Sequence, residues 1–282
     1  MRRRPLRGER AVGLTPALAK EGRLYNVAAM CHEPDSSPPI PRVYGAAVSH
    51  EDLIVEAAHG NRFAAFAASP DEPSGAGIVV LPDVRGLYRF YEELALRFAE
   101  RGHTAVAIDY FGRTAGVDKR GDDFEFMPHV EKTTDDSVQA DTRAAAEWLR
   151  AAGCGSVFTV GFCFGGRKSW LAAASGHGLA GAIGFYGRPG PGQDGSPGPT
   201  QRARELAAPI LALMGGDDPG IPVEDAEAFD RALDDAGVEH DVVIYPGAPH
   251  SFFDRKYEEF ADASADAWNR VRAFIEQHTA HY

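Results

Sequence analysis

The chain lacks any apolar run of the roughly 18 residues that a membrane-spanning helix needs, so a transmembrane protein is not expected. It is also poor in cysteine. Three cysteines, at 31, 154 and 163, are odd in number and scattered, which argues against a disulfide framework and fits a reducing cytoplasm. Positive charge is short as well: 29 Lys and Arg face 41 Asp and Glu, for a net charge of −12. A broad basic face for nucleic acid or an anionic membrane surface is therefore not expected, and the clusters Arg2–Arg4 and Arg270/Arg272 are too small to supply one. Cys31-His32 and the scattered His103, His129, His278 and His281 lack zinc-ligand spacing, and the aspartates near 122 and 135 lack a calcium-loop pattern. There is no glycine-rich phosphate loop, so neither a metal nor a cofactor is expected. Met1-Arg-Arg-Arg4 looks like the start of a signal peptide, but Lys20, Glu21 and Arg23 interrupt the apolar segment that should follow.

What is present is a strand-helix alternation. Residues 1–47 lack sustained periodicity and read as an extension, with residues 48–282 forming a single α/β domain. Leu53-Ile-Val55 and Phe63-Ala-Ala-Phe66 flank His59-Gly60-Asn61 as a hairpin. Gly77–Leu81, Thr104–Ile108, Ser156–Phe162, Ala182–Tyr186, Pro209–Leu213 and Asp241–Tyr245 read as buried strands. Between and after them, helices are expected over Tyr88–Arg101, Asp135–Ala152, the segment after Cys163, Val223–Ala236 and Tyr257–His278. Such alternation gives a mostly parallel sheet with helices on both faces. Residues 110–134 and the Gly/Pro-rich 188–199 do not fit it and are expected to be excursions over the sheet edge.

Gly161-Phe-Cys-Phe-Gly165 lies where a strand passes into a helix, and it matches the hydrolase pattern G-x-S-x-G with cysteine in place of serine. Glycines at 161 and 165 would let a strained backbone pass close to its neighbours, and a helix N-terminus favours a thiolate. In open parallel sheets, ligands bind beyond the carboxyl ends of the strands. Two further strands end there in Met214-Gly-Gly-Asp-Asp218 and Pro246-Gly-Ala-Pro-His250, giving the order nucleophile, acid, histidine. His250 would hold the thiol of Cys163 as thiolate or relay its proton, and Asp218 would fix the imidazole.

Gly161-Phe-Cys-Phe-Gly-Gly166, Met214-Gly-Gly-Asp-Asp218 and Gly247-Ala-Pro-His-Ser-Phe252 together resemble the dienelactone hydrolase family of α/β-hydrolases, from about Gly75 onward. The resemblance implies the α/β-hydrolase fold and a triad of Cys163, Asp218 and His250, with Asp218 rather than Asp217 as the acid. It also implies that Asp83 stands where the family carries a glutamate contacting the resting thiol. Arg113 resembles an arginine that binds the carboxylate of the dienelactone, and Tyr186 a tyrosine near the pocket. A second carboxylate-binding arginine of the family is replaced by Asp254, with Arg255 one step further. By the fold's rule, the backbone N–H groups of Phe164 and Val84 form the oxyanion hole.

The expected activity is opening of a small lactone, of the dienelactone type, or of an ester, through a cysteine acyl-enzyme. Hydrolysis of neutral esters or thioesters on the same fold stays open, as does a redox-active thiol at Cys163, although Cys154 is not placed to act as a resolving partner. The sequence carries no signal that separates a monomer from a homodimer.

Overall fold

The computed structural model describes residues 36–121, 123–254 and 256–280. Most of the expected extension, including Arg2–Arg4 and Cys31-His32, lies outside the described residues, as do Arg255 and His281.

The first two strands form a hairpin. Strand β1 (Val48–Glu56) pairs antiparallel with β2 (Arg62–Pro70) across a short 3-10 turn at Ala58–Gly60. β3 (Ala76–Leu81), α1 (Arg89–Ala99) and β4 (Thr104–Ile108) then form a βαβ unit, with β3 and β4 parallel. Two one-turn helices, α2 (Gly112–Ala115) and α3 (Met127–Val130), lie within the first excursion. After them come α4 (Asp135–Ala151), β5 (Ser156–Phe162), α5 (Phe164–Ala172), β6 (Gly181–Phe185), β7 (Ile210–Gly215), α6 (Val223–Ala236), β8 (His240–Tyr245) and α7 (Ala261–His278). The eight strands form one sheet in the order β1-β2-β4-β3-β5-β6-β7-β8, parallel from β4 to β8. β2 joins β4 antiparallel, so the hairpin extends one edge of the parallel core.

Burial of the sheet on both faces follows from the continuous apolar strands. In β3, Ile78 and Val80 face a core shared with Phe90, Leu94 and Phe98 of α1 and with Trp268, Val271 and Ile275 of α7. Val79 and Leu81 alternate to the other face, against Val138, Ala145 and Leu149 of α4. Local chemistry starts α4 at the expected residue. Thr134 accepts a hydrogen bond from the Ser137 amide and Ser137 accepts one from the Thr134 amide, both at 3.1 Å, and Asp135 and Asp136 complement the helix dipole.

The last helix departs from the sequence expectation. It begins at Ala261, not at Tyr257, because residues 251–254 and 256–260 are used as turns that follow His250. Among the described residues, no helix is long and apolar enough to cross a membrane.

Candidate active site

The parallel strands carry their C-terminal ends to one rim of the sheet, and Cys163, Asp218 and His250 meet there. Cys163 directly follows β5 and precedes α5, with φ 54° and ψ −113°, a conformation rarely adopted by a residue with a Cβ. Its backbone is clamped: the Cys163 amide donates to the Phe185 carbonyl at 3.0 Å, and its own carbonyl accepts from Gly166 at 3.1 Å and Arg167 at 3.3 Å. Close packing explains the flanking glycines. A Cβ on Gly161 would lie 2.0 Å from the Gly165 carbonyl oxygen, and one on Gly165 would lie 2.1 Å from that of Leu81. Gly165→Ala is therefore expected to cost at least the upper end of the about 1–3 kcal/mol usual for overpacking, read as a lowered midpoint in urea unfolding.

Cys163 is one of three non-glycine residues with positive φ among the described residues; the others are Tyr186 (φ 37°) and Ser251 (φ 61°). Each follows a different part of the rim: Tyr186 the end of β6, Ser251 the His250 position after β8. Such strain costs on the order of 1–3 kcal/mol per residue and persists only where surrounding structure enforces it, which singles out this rim as the candidate site.

His250 and Asp218 are buried, and the imidazole Nδ1 lies 2.6 Å from Asp218 Oδ2. Asp218 Oδ1 accepts the Gly220 amide at 2.8 Å, which fixes the carboxylate. Burial alone would lower the His250 pKa, but the charge of Cys163 and hydrogen bonds to Asp218 and Cys163 outweigh it and raise the pKa to about 10. Imidazole, thiol and carboxylate thus act on one another across β5, β7 and β8. Of the two adjacent aspartates, it is Asp218 that takes the histidine.

The remaining expected residues divide. Tyr186 belongs to the site, its ring centroid 4.8 Å from that of His250, but its hydroxyl donates to Asp254 Oδ2 at 2.8 Å. Burial first, then the Asp254 charge, raises its pKa well above that of a free phenol, so it stays a neutral donor. Asp254 is 2 % exposed and serves as the acceptor for this tyrosine.

Asp83 is also buried, and its carboxylate shapes its own turn: Oδ1 accepts the Arg85 amide at 2.8 Å and Oδ2 lies 3.5 Å from the Arg85 guanidinium. Both Asp83 and Cys163 help to raise the pKa of the buried phenol of Tyr110, after burial itself, so the two share one neighbourhood. Val84 sits at the tip of this turn. The amides of its neighbours are donated within the protein, Asp83 to Tyr91 Oη (2.9 Å), Arg85 and Gly86 to Asp83, and Leu87 to Asp109 Oδ1 (3.1 Å). No acceptor within the described residues takes the Val84 amide. Phe164, the first residue of α5, has an N–H with no intrahelical acceptor.

Arg113, at the start of the excursion after β4, pairs with a helix. Its guanidinium forms a forked pair with Asp141 of α4, at 2.5 and 2.9 Å, and Asn61 donates to the same carboxylate at 2.9 Å. Sequence reasoning could not see this partner, because Asp141 lies 28 residues away on a helix. In this structure the residue ties α4 to the start of the excursion. Arg113→Met should cost about 2–3 kcal/mol by stranding a buried carboxylate, read as a lowered midpoint in urea unfolding. Reasoning from sequence also passed over Asp109, Arg120 and the Tyr186–Asp254 bond. An aspartate at a strand end was visible for the first, while the other pairings span 11 and 68 residues.

A mostly parallel eight-stranded sheet, helices on both faces, and a strained residue between β5 and α5 define an α/β-hydrolase fold. Comparison with known proteins narrows the class. The sequence profile of the dienelactone hydrolase family matches residues 63–279. A protein of Escherichia coli (strain K12), provisionally named a carboxymethylenebutenolidase, is 32% identical over 232 residues, covering 78% of this chain and 84% of that protein. One of the same provisional name from Yersinia pestis is 30% identical over 227 residues, with 78% and 85% covered. The crystal structure of a provisionally named dienelactone hydrolase from Klebsiella pneumoniae superposes with a TM-score of 0.72 at 28% identity, over 82% of this chain and 99% of that one. The chain belongs to the dienelactone hydrolase family and is a carboxylesterase-like hydrolase.

Proposed function

We propose that the protein hydrolyses a small lactone or ester through a thioester intermediate on Cys163, with a dienelactone-like enol lactone as the leading substrate class. The observation that carries this reading is the His250 imidazole, bonded to Asp218 at 2.6 Å and raised to a pKa of about 10 in part by the charge of Cys163. An imidazolium beside a thiolate is the charge arrangement a cysteine nucleophile needs at neutral pH.

In the proposed sequence the Cys163 thiolate attacks the carbonyl carbon, and the carbonyl electron pair moves onto oxygen. That oxyanion is received by the amides of Val84 and Phe164, the donors left available at the turn and at the helix start. The tetrahedral intermediate collapses by expelling the leaving oxygen, to which His250 gives its proton. Water, deprotonated by the now neutral His250, attacks the thioester. The carboxylic acid leaves and the thiolate-imidazolium pair is restored.

An enol leaving group suits this chemistry. Thiolate is a better leaving group than an alkoxide, so attack on an ordinary alkyl ester tends to revert, whereas an enolate departs readily. No metal or cofactor is required by these steps, and no nucleic-acid or membrane partner enters them. A cytoplasmic setting suits a catalytic thiol that must stay reduced.

The test combines labelling with a substrate panel. Iodoacetamide should block turnover in proportion to alkylation of Cys163, and rapid acid quenching with an activated ester should trap one acyl group on that residue. Enol lactones should outrun alkyl esters of equal size. Full activity after complete alkylation would overturn the proposal. Preference for neutral alkyl esters or thioesters would keep the nucleophile and change the substrate, while stable sulfenate formation without ester turnover would favour the redox-active thiol.

A further inference from the structure

We infer that Asp109 and Arg120 form a positioning device that holds the Val84 turn in its oxyanion-binding shape and makes that shape depend on the docking of the excursion after β4. The inference rests on the proposed cysteine hydrolase reading and adds two residues to it.

Asp109 ends β4 and is completely buried. Its two carboxylate oxygens serve three donors from different segments. Oδ1 accepts the Leu87 amide at 3.1 Å, at the far end of the turn that carries Val84. Oδ2 accepts the Phe111 amide and the Arg120 guanidinium, each at 2.8 Å. The Arg120 side chain is 4% exposed in this pair, although it comes from an excursion whose neighbours are largely open to solvent. Arg120 also reaches back to the carbonyls of Ala115 (3.2 Å) and Gly116 (2.7 Å), and its guanidinium lies 4.8 Å from the ring centre of Phe124. One cation thereby closes the excursion on itself and docks it on the carboxylate that fixes the turn.

A second link runs in parallel. Tyr88, just after the turn, donates its hydroxyl to the Gly121 carbonyl at 3.1 Å, beside Arg120. On the other side, Tyr110 donates to the Pro82 carbonyl at 2.7 Å, holding the start of the turn. Between these fixed points, the Val84 amide is aimed by its neighbours and not by any bond of its own. An amide aimed in this way binds an oxyanion without reorganising, which is the condition for a large rate effect. Loss of Arg120 leaves the Asp109 charge buried without its counter-charge, so the carboxylate must draw water or move, and the Leu87 amide moves with it.

Two reactions of the same sulfur separate this role from general damage. Acylation by an ester builds an oxyanion, whereas alkylation by iodoacetamide displaces iodide at a saturated carbon and builds none. In purified full-length Arg120→Met, acylation by an activated ester under single-turnover conditions should slow by about 10- to 100-fold, as for the loss of part of one oxyanion donor. The alkylation rate should stay within about twofold of the parent and KM should change little, while Arg120→Lys should recover part of the loss. Asp109→Asn should show the same split, because an amide turned to keep the Leu87 bond presents its NH2 to two donors. If Arg120→Met does not fold, Asp109→Asn and Arg120→Lys decide the matter.

Equal loss of acylation and alkylation would reduce the pair to a structural role and overturn the inference, as would unchanged acylation in both Arg120→Met and Asp109→Asn. Activity that survives Cys163→Ala would instead remove the underlying reading. The two failures are thus distinguishable.

Discussion

Cys163→Ala is expected to lower turnover of an activated enol ester by about 10³-fold or more while leaving the fold intact. The magnitude follows from what the methyl group cannot do. It forms no thioester, so reaction would need direct attack by water, and the Val84 and Phe164 amides alone would supply the remaining stabilisation. The change should also be structurally mild, because Cys163 is only partly buried and alanine keeps a Cβ in the same strained backbone. Cys163→Gly is a useful companion: it relieves the positive φ and should be as inactive, yet more stable than the alanine variant. Steady-state kinetics with mass spectrometry checks both. Alanine protein that turns over within tenfold of the parent, freed of wild-type contamination, would remove Cys163 from the mechanism.

Asp218→Asn is the second large effect, expected at about 10²- to 10⁴-fold in kcat. The aspartate accepts from Nδ1 at 2.6 Å and is among the causes that raise His250. An asparagine that keeps the same contact supplies no charge, and it can present either its oxygen or its NH2 to the ring. The imidazolium loses its buried counter-charge, and the Nε2 proton that the proposed sequence passes to the leaving group is less firmly held.

The same bond carries a pH signature. His250 has a folded-state pKa of about 10 against an unfolded value of about 6.5, so the folded protein binds the extra proton between these limits. Its contribution to stability is therefore complete below pH about 6.5 and is lost as pH rises through about 10. Urea unfolding across that window should show stability falling with pH, and His250→Gln should remove most of the slope. A slope equal in the variant would place the linkage on another group.

How far the chain could be read in advance depended on whether its information was local. β3 and β5 were legible because a strand buried on both faces must be apolar throughout, and α4 because Thr134, Ser137 and the two following acids write its start into adjacent residues. The Cys163 elbow was legible because its two glycines answer a steric demand made by backbone within a few residues or on the next strand. The partner of Arg113 was not legible, for the opposite reason. Its motif is local, but its partner Asp141 is chosen by how α4 packs across the sheet.

By itself the sequence determined the alternating strands and helices, the place of the strained cysteine, and the order in which acid and histidine follow it. Those features depend on apolar period, glycine and short-range capping, all of which act between neighbours in the chain. Only the tertiary structure decided that Asp254 faces Tyr186, that Asp141 takes Arg113, and that Asp109 joins the Val84 turn to Arg120. A buried charge must find a counter-charge or donors wherever packing puts them, and that location belongs to the assembled sheet and not to any stretch of residues.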